Sequence, residues 1–158
     1  MTMNCSEFEF RVGTATYESI VALLLGYSDS FRPPLYTYVN MEEYARKILD
    51  NAVTFEAWGG SELVGFIVAY FNDNETKNGF VTNVSVLEEY QDCGIAYELM
   101  RQAIEFGKNH AFVRLDLEAG TDSTRAQRSY KRNGFVVVEQ RRDKFVMSRM
   151  ITTEAPNE

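Results

Sequence analysis

The segment Val84-Ser85-Val86-Leu87-Glu88-Glu89-Tyr90-Gln91-Asp92-Cys93-Gly94-Ile95-Ala96 has residue types and spacing that could do chemistry. A β-branched run stops, a polar stretch turns, and the spacing predicts a helix opening on Gly94 and Ala96. Backbone N–H groups in the first turn of a helix have no intrahelical partner and carry the positive end of the helix dipole. Small residues there let a phosphate approach the backbone closely. The segment therefore predicts an anion cradle beside a strand end. A Walker loop requires Gly-Lys-Ser/Thr, and a dinucleotide fingerprint requires G-x-G-x-x-G near the first strand; the chain has neither. What remains is Gln91-x-x-Gly94-x-Ala96.

Other chemistries are poorly supplied. The two cysteines, Cys5 and Cys93, are far apart, with no C-x-x-C and no Cys/His spacing suited to zinc, so no metal is expected. Cys93 precedes a helix start, which would lower a thiol pKa, but a bystander thiol is the plainer expectation. The single histidine, His110, closes a predicted helix, where an imidazole interacts well with the last carbonyls. No G-x-S-x-G stands near it for a nucleophilic triad. A net charge of −7 argues against a nucleic-acid partner, which needs a basic surface.

The elements that must position the cradle follow from periodicity. With 158 residues, 45% of them hydrophobic and 13% aromatic, the chain can bury one core without staples. One domain over residues 1–151 and a disordered tail over 152–158 are expected. No apolar run reaches the roughly 18 residues of a membrane helix, and the N-terminus lacks signal-peptide character. A cytoplasmic protein without a membrane partner is the expectation. Alternation predicts strands over residues 7–13, 52–58, 62–71, 80–87, 112–119, 135–139 and 145–150. Helical spacing predicts helices over 15–26, 40–51, 94–109 and 123–133. Asn40 with Glu43 resembles a capping box, and Gly134 is a left-handed cap. The class is α/β (α+β) with a mixed sheet, and the cradle follows a central strand at its carboxyl end.

At these residues the chain resembles the GNAT superfamily of acetyl-CoA-dependent N-acetyltransferases. The Gln91-x-x-Gly94-x-Ala96 loop matches the family's Gln/Arg-x-x-Gly-x-Gly/Ala pattern. Val86 and Tyr90 stand where the family has Val-x-Pro-x-Tyr/Phe, with Glu88 replacing the proline. Tyr130-Lys131-Arg132-Asn133-Gly134-Phe135 is similar to the family's Tyr-x-x-x-Gly-Phe ending, and element order agrees over residues 7–151. The resemblance implies a mixed, mostly antiparallel sheet flanked by helices, and acetyl-CoA as co-substrate. It implies that Val84, Ser85 and Val86 meet the pantetheine arm and thioester. Gln91, Asp92, Cys93, Gly94, Ile95, Ala96 and Tyr97 would hold the pyrophosphate through main-chain N–H groups. Ser123, where the family commonly has Asn, implies a weakened or water-mediated contact. Tyr130 matches the general acid toward the leaving thiolate, since a phenol with pKa about 10 can protonate a thiolate of similar basicity. Glu118 matches a glutamate used as base in some members, with water relays through Asn83 or Ser85 as the fallback. Asp92 beside a pyrophosphate is repulsive and is expected to point outward.

The resemblance also implies that residues 27–39 border the acceptor. Phe31, Arg32, Tyr36 and Tyr38 would form an aromatic wall with one charge, or a loop packed on its own aromatics. The polar stretch 72–79 is a second candidate for the acceptor side, but reads better as a solvated turn. The function implied is acetyl transfer to a primary amine of a small molecule or peptide, by direct attack in a ternary complex. A CoA-binding scaffold without turnover and an acyltransferase using another donor are the alternatives. The last hairpin leaves a homodimer open.

Overall fold

The computed structural model describes residues 7–27 and 40–151. The proposed acceptor wall (Phe31, Arg32, Tyr36 and Tyr38), Cys5 and the tail 152–158 lie outside the described residues. In chain order the elements are β1 (Glu9–Val12), α1 (Tyr17–Tyr27), α2 (Met41–Asn51), β2 (Val53–Gly59), β3 (Glu62–Tyr70) and β4 (Asn78–Val86). A 3-10 helix (Glu88–Cys93) follows, then α3 (Ile95–Asn109), β5 (Arg114–Gly120), α4 (Thr124–Arg132), β6 (Val136–Arg141) and β7 (Lys144–Met150). All seven strands form one sheet in the order β1-β2-β3-β4-β5-β7-β6. Neighbouring strands are antiparallel except β4 and β5, which are parallel.

Burial shows how the layers sit. In β3, Leu63 through Ala69 are buried without interruption, so both faces of the sheet centre are covered. The helices α1 and α2 pack together over β2 to β4, while α3 crosses β2 to β5 and carries α4 beside it. Ile95, Leu99, Met100, Ala103 and Ile104 form the inward stripe of α3. At the far edge every residue of β6 is exposed. Among the described residues, no helix is long and apolar enough to cross a membrane.

Local signals set the element ends. The Asn40 side chain accepts the Glu43 N–H at 3.0 Å, the predicted N-cap of α2. His110 is the C-cap of α3, with its Nδ1 2.8 Å from the Phe106 carbonyl and its ring stacked on Phe106. Asp73 accepts N–H bonds from Glu75 and Thr76, making the expected solvated turn. Other boundaries differ from the sequence reading. β4 starts at Asn78 because Asn78 and Gly79, polar enough to read as a turn, pair with Arg114 and Leu115. β5 starts at Arg114; Phe112 leaves the strand to pack edge-on against Phe71. The polar stretch before Gly94 is a 3-10 helix rather than a loop. Ser123 is the N-cap residue of α4 but makes no side-chain cap bond; its N–H donates to the Gly120 carbonyl at 3.0 Å.

A buried carboxylate ties the first elements together. Glu56 of β2 is fully buried and accepts the Thr14 N–H, Thr14 hydroxyl, Ala15 N–H, Thr54 hydroxyl and Trp58 indole N–H. The sheet thus holds the chain that enters α1. Trp58 packs within the sheet, as its place at a strand end suggests.

Candidate active site

The parallel pair leaves a gap. β4 and β5 pair only through Asn78↔Arg114, Gly79↔Leu115 and Phe80↔Asp116. Beyond Phe80, β4 continues to Val86 and β5 to Gly120 without further pairing. Backbone direction alternates along β4. The Ser85 carbonyl faces Gly65 of β3, and the Leu87 N–H donates to the Val64 carbonyl at 2.9 Å. Val84 and Val86 therefore turn their backbone groups into the gap. The Val86 carbonyl accepts from the Gln91 amide at 3.0 Å. Gln91 thus spends its side chain on holding the 3-10 helix against the strand.

The gap leads to the predicted cradle. Gly94 joins the 3-10 helix to α3 with φ +75°, a left-handed conformation that side chains rarely adopt. The first intrahelical bond of α3 runs from the Glu98 N–H to the Gly94 carbonyl at 3.2 Å. The N–H groups of Ile95, Ala96 and Tyr97 precede it and have no intrahelical acceptor. Ile95 is buried and anchors the turn, while Gly94 and Tyr97 are exposed. Asp92 points outward, its side chain 94% exposed, and pairs with Arg125 of α4 at 2.7 Å. The Cys93 sulfur is disulfide-bonded, so the expected bystander thiol does not exist in this state.

Tyr130 and Glu118 approach from opposite faces of the sheet. Tyr130 is half-buried on α4, which packs on α3 and β5. On β5, Leu115, Leu117 and Ala119 are buried, while Asp116 and Glu118 alternate to the other face. Glu118 is exposed there, close enough to Arg141 for their charges to interact. Asn83 and Ser85 lie on that same face. The Ser85 hydroxyl donates to the Asn83 side-chain Oδ1 at 2.5 Å, and the Asn83 side-chain Nδ2 donates to the Tyr44 hydroxyl of α2 at 3.2 Å. Burial, reinforced by neighbouring Tyr44, pushes the Tyr70 hydroxyl above its ordinary pKa, so it stays protonated.

The structure therefore gathers Val84, Val86, Gln91, Gly94, Ile95, Ala96 and Tyr97 around one gap and its mouth. Ser85 is close by, but its side chain serves Asn83 and its backbone faces the sheet. Ser123 is exposed ahead of α4. Sequence reasoning missed Tyr44, whose contact with Asn83 spans 39 residues and has no local signature. It also missed Arg125, although α4 carries Arg125, Arg128, Lys131 and Arg132 with no acidic residue in a chain of net charge −7. Among the described residues, no group of three or more His, Cys, Asp or Glu could hold a metal.

Comparison with known proteins matches this architecture. The model of the acetyltransferase (GNAT) family matches residues 18–135. The fold is similar to that of the ribosomal-protein-S18-alanine N-acetyltransferase from Escherichia coli, with TM-score 0.76 and 13% identity, covering 95% of this chain and 99% of that one. It is similar to PaiA N-acetyltransferase from Thermoplasma acidophilum in complex with coenzyme A, with TM-score 0.71 and 16% identity, covering 90% and 99%. It is also similar to an acetyltransferase from Bacillus subtilis in complex with CoA, with TM-score 0.70 and 20% identity, covering 90% and 98%.

Proposed function

The chain belongs to the GNAT acetyltransferase family, and from that premise we propose that it transfers an acetyl group from acetyl-CoA to a primary amine by direct attack in a ternary complex. The observation that carries this reading is the β4–β5 gap, which opens after Phe80↔Asp116 and ends at the uncapped first turn of α3. That shape suits a long ligand with an anionic end. The pantetheine arm fits between the strands, and the pyrophosphate fits at the N–H groups of Ile95, Ala96 and Tyr97. Two of the similar structures hold coenzyme A, which supports the ligand.

In this reading the backbone N–H groups of Val84 and Val86 line the thioester, where one of them stabilises charge developing on its oxygen. The amine attacks from the face that carries Glu118, Asn83 and Ser85. Glu118 takes the proton from the amine, directly or through water held by Asn83 and Ser85. As the new C–N bond forms the C–S bond breaks, and Tyr130, on the opposite face, gives its proton to the departing thiolate. Base and acid thus approach from the two faces of β5, one serving the attacking amine and the other the thiolate expelled from the tetrahedral intermediate.

Calorimetry with acetyl-CoA and with CoA tests the proposal: saturable binding is expected, and no binding at high ligand concentration overturns it. β4 carries no carboxylate between Asn78 and Val86, an observation that favours a second reading, CoA binding without turnover. Thiol release with a panel of primary amines separates the two readings.

A further inference from the structure

Asp92 sits two residues ahead of Gly94, at the mouth of an anion cradle, where a carboxylate should weaken binding. Its position makes sense together with Arg125. We propose that Arg125 is a ligand of the CoA pyrophosphate, held beside the cradle by Asp92 and passed from carboxylate to phosphate when CoA binds. The inference rests on the acetyl-CoA reading and adds to it a residue and an exchange step.

Four observations carry it. First, the Arg125 Nη2 lies 2.7 Å from the Asp92 Oδ1, joining residues 33 apart in sequence across the mouth of the cradle. Second, both side chains are largely exposed, at 67% and 94%, so neither is locked by packing. An exposed pair of this kind is worth little and is easily traded. A guanidinium gains more from a phosphate, which it meets with two parallel N–H bonds. Third, Arg132 lies two helical turns beyond Arg125 and stacks on Tyr97, its guanidinium 4.8 Å from the ring centre. The basic side of α4 therefore reaches Asp92 ahead of the first turn of α3 and Tyr97 within it. Fourth, the 94% exposure of the Asp92 side chain keeps its carboxylate out of the core, so its charge is spent at the surface of the cradle.

The exchange has a definite electrostatic consequence. Asp92 competes with the ligand for Arg125 and also repels it. Removing Asp92 should strengthen CoA binding, contrary to the usual result of mutating a binding loop. Arg125 touches Asp92, three residues ahead of Ile95, whose N–H is the first of the open amides, so its charge is assigned to the pyrophosphate that those amides would hold.

Calorimetry on the wild type, R125Q, D92N and the double variant tests this, with CoA, dephospho-CoA and pantetheine as ligands at one ionic strength. R125Q should weaken CoA about 3- to 10-fold, as expected for one lost charge contact. The loss should be equal with dephospho-CoA, which keeps the pyrophosphate, and absent with pantetheine, which lacks it. D92N should tighten CoA by about 2- to 5-fold, and by less in the R125Q background, because the competition has gone. Unchanged affinity in R125Q, strictly additive effects of the two substitutions, or a loss confined to CoA would each overturn the proposal. Wild-type protein that binds CoA normally alongside any of these results leaves the acetyl-CoA reading standing. Wild-type protein that binds no CoA overturns both.

Discussion

The Phe135 N–H donates to the Tyr130 carbonyl at 3.1 Å, and the two rings pack with centroids 6.3 Å apart. Between them, the Gly134 N–H donates to the Lys131 carbonyl at 2.9 Å, with Gly134 at φ +90°. This pair of bonds is a Schellman closure of α4, completed by the apolar contact across the cap. The Tyr-x-x-x-Gly-Phe pattern is therefore first a helix stop. By fixing the end of α4 it also fixes the direction in which the Tyr130 ring leaves the helix.

Replacing Tyr130 with Phe keeps that ring contact and removes only the hydroxyl. With Tyr130 as the acid, kcat should fall about 100-fold or more, with acetyl-CoA affinity and melting temperature nearly unchanged. Steady-state kinetics beside calorimetry makes the comparison, and an unaltered kcat would remove the acid from the mechanism.

Gly134→Ala should destabilise the fold. An added Cβ would stand 2.8 Å from the Arg149 Nε, which itself donates to the Asn133 carbonyl at 2.7 Å, and φ +90° strains any side chain. A cost of about 1–3 kcal/mol is expected in urea unfolding. A change below about 0.5 kcal/mol would mean that the cap relaxes freely.

Glu56→Ala should be the more damaging change. It strands Thr14, Ala15, Thr54 and Trp58 donors that all converge on one carboxylate. Unsatisfied buried donors cost about 1–3 kcal/mol each before relaxation or entering water, so a loss of about 3 kcal/mol or more is expected. Chemical denaturation reads it, and a near-neutral result would show that water replaces the carboxylate.

Acid should weaken the start of α3. The Arg101 guanidinium holds the Glu98 carboxyl below its ordinary value of 4.5, with help from Gln102 and against partial burial. The folded state thus binds this proton less readily than the unfolded chain. Its stabilisation is complete above the ordinary value and is lost as pH falls through the lowered one. Glu98→Gln should therefore narrow the difference between unfolding midpoints measured at pH 7 and pH 3. An unchanged difference would place the acid sensitivity elsewhere.

Much of the fold was legible because its signals are local. The Asn40 cap, the His110 cap and the Gly134 stop each depend on residues within about two helical turns. The errors fell where residues distant in sequence decide. Asn78 and Gly79 read as a turn by composition, yet β5 supplies hydrogen bonds that make them a strand. Phe112 has strand character, but the aromatic cluster around Phe71 holds it outside β5.

The sequence by itself determined the cradle: a glycine able to take positive φ, followed by a helix start with small residues, is written within one short segment. Only the tertiary structure decided what surrounds it. It parts β4 from β5 after three paired residues, turns Asp92 toward Arg125, and brings Tyr44 to Asn83. These relations join residues some 30 to 40 positions apart, and side-chain packing rather than backbone propensity selects them. The same reason puts Tyr130 and Glu118 on opposite faces of one strand: alternation gives each strand two faces, but only the assembled layers determine which face each helix covers.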